Sequence, residues 1–243
     1  PVKIFVMGKN EWRNEKEWPL KRTQYVNYYF HSNGNANSNI TEGILTTKLP
    51  QNEPSDRYAY DPLNPVPTIG GGLCCDTTHM PGGPYDQRPL ESRNDVVIYS
   101  TDSLTEDIEV TGRLIINLWA SSSAFDTDFT GKLVDVGPCG YSQLLQDGII
   151  RARYRNSRKT PELLDPNKIY NYELDLWSTS NLFKKGHKIR VEISSSNFPR
   201  FDRNLNTDKI VAEEKNPIIA IQNIYHNKQY PSHIVLPIIP KKP

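Results

Sequence analysis

The segment HKIRVEISSS, residues 187–196, alternates Ile189, Val191 and Ile193 with Lys188, Arg190 and Glu192. Successive side chains of a strand point to opposite faces, so this period of two predicts a β-strand with one apolar face on a core. The alternation recurs in IYNYELDLWST (169–179), where Tyr170, Tyr172, Leu174 and Leu176 share a face. It recurs in DFTGKLVDVGP (128–138), with Phe129, Gly131 and Leu133 opposite Thr130, Lys132 and Val134. Further strands are predicted over 3–8, 25–32, 95–101, 108–122 and 233–239, with Gly112 as a bulge between two pieces of the 108–122 run. Nineteen prolines spread along the chain argue against long helices, because proline removes a donor and clashes inside one. Only 40–48 and 205–230 leave room for short helical turns. Many short strands and little helix predict an all-β chain, a β-sandwich or jelly roll with long loops at 31–56 and 61–94. A loop longer than ~15 residues in a compact domain is usually functional or disordered.

With 243 residues the chain fits one large β domain, 1–243, that buries roughly 70% of its unfolded surface without disulfide staples. Lys and Arg number 29 against 28 Asp and Glu, and no cationic run suits phosphate neutralisation, so no nucleic-acid partner is expected. The locally basic RARYRNSRK (151–159) fits a strand edge or an internal ion-pair site better. No apolar run approaches the ~20 residues that cross a bilayer, and no leader is evident, so no membrane partner is expected. The cysteines, 74, 75 and 139, are odd in number and too few for a disulfide framework. A bridge between neighbours would need a strained ring, so free thiols and a reducing, cytoplasmic setting are expected.

The chain is long enough for an enzyme, yet no reaction centre assembles from its motifs. A nucleophile elbow needs Gly-x-Ser-x-Gly on a strand-to-helix turn. GYSQL (140–144) ends in Leu and has no helix after it, so Ser142 reads as part of a hairpin turn. The five histidines, 31, 79, 187, 226 and 233, show no metal-ligand spacing, and His187 and His233 read as structural. Asp126 and Asp128 lack the further oxygen ligands that calcium requires. Gly70-Gly71-Gly72 is not followed by a helix start, so it is no phosphate loop. No catalytic residue, metal site or cofactor is expected within the chain.

Several long stretches, in order, resemble one family. They are FVMGKNEWRNEKEWPL (5–20), YDPLNPVPTIGG (60–71), GPYDQRPLESRNDVVIYSTDSLTEDIEVTG (83–112), SSSAFDTDFTGKLVDVGP (121–138), DGIIRARYRNS (147–157), TSNLFKKGHKIRVEISSSNFPRFDRNLNT (179–207) and PSHIVLPII (231–239). Together they resemble the C-terminal, non-catalytic domain of the cocaine-esterase-like and X-prolyl dipeptidyl-peptidase hydrolases, a group that includes glutaryl-cephalosporin acylases and α-amino-acid ester hydrolases. The resemblance covers essentially the whole chain. It implies a jelly roll of the galactose-binding-like type that packs on an α/β-hydrolase domain and its helical cap, with the Ser-Asp-His triad upstream of Pro1. Small ester or amide substrates are implied for the parent protein.

The resemblance also implies that the 61–94 loop reaches toward the parental triad, so that Leu73, Cys74 and Cys75 line its pocket by contact and water exclusion. In SSSNFPRFDRNLNT (194–207) no serine has a neighbouring histidine to activate it. Its Ser, Asn and Asp suit turn hydrogen bonds, and Arg200 and Arg203 are forks suited to fixed carboxylates. Asn197, Phe198, Arg200, Asp202 and Arg203 are therefore expected to form a clasp that contributes to a face docking the catalytic domain. The alternative is a carbohydrate-binding jelly-roll module. Against it, Trp119 and Trp177 end strands as core residues would, while Trp12 and Trp18 flank charged loops.

Overall fold

The computed structural model describes residues 1–241 apart from 38, 39, 75, 76 and 211. Its strands are β1 (Val2–Val6), β2 (Glu11–Glu15), β3 (Gln24–His31), β4 (Ile44–Thr46), β5 (Asp56–Tyr60), β6 (Val97–Ser100) and β7 (Ile108–Ser122). They continue with β8 (Asp128–Val136), β9 (Ser142–Arg151), β10 (Tyr170–Phe183), β11 (Lys188–Ser194), β12 (Ala220–Tyr225) and β13 (His233–Ile239). Among the described residues, helix is confined to α1 (Arg88–Glu91) and a 3₁₀ turn at Ala152–Tyr154. The chain is all-β, as the alternation predicts.

The helical turns are not where the sequence leaves room for them. Residues 44–46 and 220–225 are strands, because Leu45 and then Ala220 and Ile224 are needed in the core. Instead α1 forms inside the long 61–94 loop, where Pro89 is tolerated in a first turn. Strand β7 is one continuous element and not two pieces, but its register on β13 shifts between Val110 and Ile115, the irregularity expected around Gly112. A Cβ on Gly112 would lie 2.7 Å from Pro237, so this glycine allows β13 a close approach.

Two layers enclose the core. In one, β7 pairs with β10 along one edge and with β13 and then β12 along the other. In the second, β6, β11, β8 and β9 are antiparallel neighbours. Strands β3 and β4 join the layers into one hydrogen-bonded network, and β1–β2 forms a separate ribbon. The face-to-face spacing is set where a Cβ on Gly131 of β8 would lie 2.7 Å from Ile116 and 3.4 Å from Leu174 and Leu176. The core itself is built from Phe129, Tyr172, Leu174, Val191, Ile193 and their neighbours, each fully buried. Transfer of such side chains from water contributes roughly 1.5–3 kcal/mol apiece.

Alternation in β11 places Ile189, Val191 and Ile193 in this core as predicted, but the opposite face is not solvated. Arg190 and Glu192 are buried as well, beneath the 61–94 loop. Register aligns Asp147 of β9, Lys132 of β8 and Glu192 of β11 in one row across the sheet.

Candidate docking and pocket-lining surface

The arrangements that resemble a reaction centre are structural. Ser142 is fully buried at the start of β9, and its Oγ accepts from Arg190 at 3.3 Å. Ser32, Asp56 and His226 do meet, but in the wrong order. Ser32 Oγ donates to Asp56 at 2.8 Å, and the same nitrogen of His226, Nε2, faces both Asp56 at 2.8 Å and Ser32 at 3.3 Å. A triad needs one ring nitrogen on the carboxylate and the other on an accessible hydroxyl. Here Tyr99 and the Ala36 amide also bond Asp56, and the cluster is sealed from solvent. Burial pushes the Asp56 carboxyl up, but the bonds from His226, Ala36 and Tyr99 outweigh it and hold the group below the usual range. It is a cross-link between β5 and the end of β12.

Three of the four arginines of 151–159 make internal pairs, and Arg158 is exposed. Arg151 meets Asp128 at 2.9 Å, Arg153 meets the buried Asp126 at 2.7 Å, and Arg155 meets Glu162 at 2.9 Å. Asp126 and Asp128 each also accept from Asn204. Among the described residues no group of three or more His, Cys, Asp or Glu is placed to hold a metal, and no helix is long and apolar enough to cross a membrane.

The serine-rich segment after β11 is a clasp, and what it grips is the 61–94 loop. Ser196 Oγ accepts from the Val66 amide at 2.9 Å, and Ser195 bonds Tyr58. The Phe198 backbone donates to Val66 and accepts from Thr68. Asn197 donates to Asp147 at 3.0 Å, Arg200 lies 2.8 Å from the same carboxylate, and Arg203 donates to the Pro62 carbonyl. Asn197 is buried, Arg200 and Arg203 are half-buried, and Phe198 and Asp202 are exposed. The clasp residues thus divide between holding their own loop and facing outward.

The loop itself has a narrow neck. Gly71 and Gly83 exchange backbone hydrogen bonds of 2.8 and 3.0 Å. Gly71 has φ +100°, and a Cβ there would lie 2.5 Å from Arg200 Nη1, so only glycine lets the neck sit on the Arg200–Asp147 pair. Gln87 anchors the base, donating to Ile69 and accepting from Lys132 at 2.8 Å. Beyond the neck, Leu73 is half-buried and Cys74 is exposed, while Cys75 lies outside the described residues. Cys74 is disulfide-bonded, which corrects the expectation of a free thiol there, and among the described residues Cys139 is a free thiol. A covalent bridge stands at Cys74 where a thiol was expected.

Under the neck lies a dry ionic layer. Burial pushes the Glu192 carboxyl up to about 7 against the pull of Lys132, 3.9 Å away. The same burial lowers the Lys132 ammonium and raises Asp147, each opposed by the surrounding charges. Arg190 answers Glu91 at 2.5 Å.

Trp177 overturns the assignment of that residue to the core: it is 72% exposed, at φ +67°. Trp177 follows Leu176 on the opposite, outer face, and the register of β10 on β7 shifts between Asp175 and Ser178, so beyond it the odd positions Thr179, Asn181 and Phe183 turn inward. Trp119 is half-buried against Tyr230. The signal was present in the sequence. Leu174 and Leu176 occupy even positions and Phe183 an odd one, so the period of two slips once between them.

The sequence pattern of the X-Pro dipeptidyl-peptidase C-terminal non-catalytic domain matches residues 1–235. The chain belongs to that family. Cocaine esterase of Rhodococcus sp. (strain MB1 Bresler) is 47% identical over 98% of the chain, which spans 42% of that protein's length. Among solved structures, an aminopeptidase from a marine sediment Thaumarchaeota archaeon superposes with a TM-score of 0.87 at 30% identity, over 98% of this chain and 40% of that one. An α-amino acid ester hydrolase superposes with a TM-score of 0.87 at 29% identity, over 98% and 41%. The chain is a non-catalytic domain, and the carbohydrate-binding alternative gains no support from these relatives.

Proposed function

We propose that this domain serves a serine ester or amide hydrolase by stabilising an α/β catalytic domain, with its helical cap, and by completing the substrate pocket. The observation that carries this is the 47% identity to cocaine esterase over nearly the whole chain, confined to 42% of that enzyme. The sealed serines support it, since Ser32 and Ser142, the two that lie beside a base or in the nearest elbow-like stretch, are both buried. Leu73 and Cys74, carried beyond a braced neck, present an apolar tip suited to contact and water exclusion at the acyl side of a pocket; Cys75 is assigned the same role. Phe198 and Asp202, outward-facing in the clasp, belong to the docking face beside it, with Asn197, Arg200 and Arg203 fixing their position.

A fluorophosphonate probe and p-nitrophenyl esters test this on two proteins, the 243-residue domain and the full-length protein that carries it. The domain alone is expected to show no labelling and no turnover, and the full-length protein both. Labelling of Ser142 in the isolated domain, or a full-length protein inert toward esters and amides alike, would overturn the proposal.

A further inference from the structure

Trp177 is displayed at a cost that nothing inside the domain recovers. A non-glycine residue in the left-handed region is strained, and such strain persists only where the surroundings over-determine it. They do so here with side-chain bonds from three strands. The Trp177 amide donates to Asp175 Oδ1 at 2.9 Å, Arg113 of β7 grips the same carboxylate at 2.6 Å, and Gln146 of β9 donates to the Ser178 carbonyl at 2.8 Å. The bulge is thus held open by design of its neighbours, and its product is one large indole standing in solvent.

The indole does not stand alone. Its concavity is shared with Arg200 and Gly72 at the neck of the pocket-lining loop. Through Gln146 and Ser178 it runs on into an apolar groove lined by Ile4, Phe5, Met7 and Trp18. Phe5 is 39% and Trp18 42% exposed. Two of the charges along this surface are matched, Arg113 with Asp175 and Arg200 with Asp147, while Lys3 in the groove lies over the Trp12 ring. A patch centred on Trp, with a rim of paired Arg, amide and a single Lys, is the composition of a protein–protein hot spot, and one such cation is too few to hold a polyanion.

We infer that the Trp177 bulge and the Phe5–Trp18 groove form one docking surface, and that its occupant is the hydrolase domain of the same polypeptide. The inference rests on the proposed function above. Its occupant follows from two features: the surface is continuous with the loop neck at Gly72, and the chain matches a C-terminal domain that spans only 42% of its relative cocaine esterase, which leaves a larger partner to cover it. Interdomain contacts of this kind cover roughly 600–1,500 Å², enough to span from Trp177 to Trp18.

The test compares Trp177→Gly and Trp177→Ala in the isolated domain and in the full-length protein by calorimetry, with sedimentation velocity of the isolated domain. Glycine relieves the backbone strain, so in the isolated domain its Tm is unchanged or higher. In the full-length protein both variants lower the Tm by about 4 °C or more and increase tryptic cleavage between the domains. Equal Tm changes in both contexts would overturn the inference, even with hydrolase activity present. A Trp177-dependent dimer of the isolated domain would overturn it in favour of a second copy as occupant. A full-length protein without hydrolase activity in which Trp177 still couples two domains would remove the proposed function alone.

Discussion

On the inner side of β8 and β11, Phe129, Leu133, Ile189, Val191 and Ile193 are sealed between the two layers. On the outer side of the same strands, Lys132, Arg190 and Glu192 are sealed too, beneath the 61–94 loop. Both faces exclude water, yet they are stabilised by different means. The inner face gains from non-directional transfer of apolar surface, insensitive to pH and salt. The outer face gains only where each charge is matched, and several of its atoms are not: both Glu192 oxygens, Asp147 Oδ1, Asn197 Oδ1 and Arg200 Nη1 lack a well-aligned hydrogen bond. Orphaned buried polar atoms cost stability, so the covered outer face is the weaker seam. That seam carries the loop whose tip reaches outward, which places the weakest packing next to the part of the domain assigned to substrate.

The largest effect that separates the two faces is expected inside. Phe129→Ala removes a ring that packs on Tyr172 at 4.8 Å and leaves a cavity between layers. It should cost about 3–5 kcal/mol, measured by urea unfolding, and the loss should be the same at pH 5 and pH 8. A loss that changes with pH would show that the inner face is coupled to the ionic layer.

Next in size is Arg190→Lys. The charge is kept, but the fork that reaches Ser100, Glu91 and Ser142 is lost. The expected cost is about 1–3 kcal/mol, because the buried partners are left under-satisfied. A neutral outcome would mean that the seam tolerates a point charge, and the contrast between the faces would weaken.

Glu192→Gln sharpens the comparison in the opposite direction. With its folded carboxyl at about 7 and an ordinary value of 4.5, Glu192 holds a proton in the folded state that the unfolded chain has released. Its contribution to stability is therefore full below about 4.5 and is lost as pH rises through about 7. Glutamine keeps the shape and never ionises. The variant should match the parent at pH 5 and exceed its Tm by about 2–4 °C at pH 8, as calorimetry would show. A variant less stable than the parent at pH 8 would mean that the ionised pair with Lys132 outweighs its burial.

The same two faces mark how far the sequence is legible. Alternation in 128–138, 169–179 and 187–196 assigns strands and their core-facing residues, since a period of two fixes which side chains share a side. It cannot tell a solvated outer face from a covered one, because the cover on Lys132 and Glu192 comes from residues tens of positions away. Nor does composition reveal that Ser194, Ser195 and Ser196 bind inward to Thr130, Tyr58 and Val66. The clasp could be read as polar and inert, but not what it holds. Trp177, directly after Leu176, falls by that same alternation on the outer face, and the extra residue between Asp175 and Ser178 brings Thr179, Asn181 and Phe183 into the buried phase, so a strand-end tryptophan here is no sign of the core.

The smallest effect on stability is expected at the loop tip. Leu73 is half-buried beyond a neck pinned by Gly71 and Gly83 and supported by Arg200, so its side chain adds little to either face. Leu73→Ala should change unfolding free energy by no more than about 0.5 kcal/mol. On the proposed placement of the tip at the acyl side of the pocket, the same substitution in the full-length protein should shift kcat/KM between small and bulky acyl esters by up to about tenfold, the range one or two methylenes command in an apolar pocket. The two measurements together locate the residue. A loss above ~2 kcal/mol with unchanged selectivity would place Leu73 in the domain's own packing and sever the loop from the pocket. A selectivity change with stability untouched is what a tip that reaches out over the weaker seam should give.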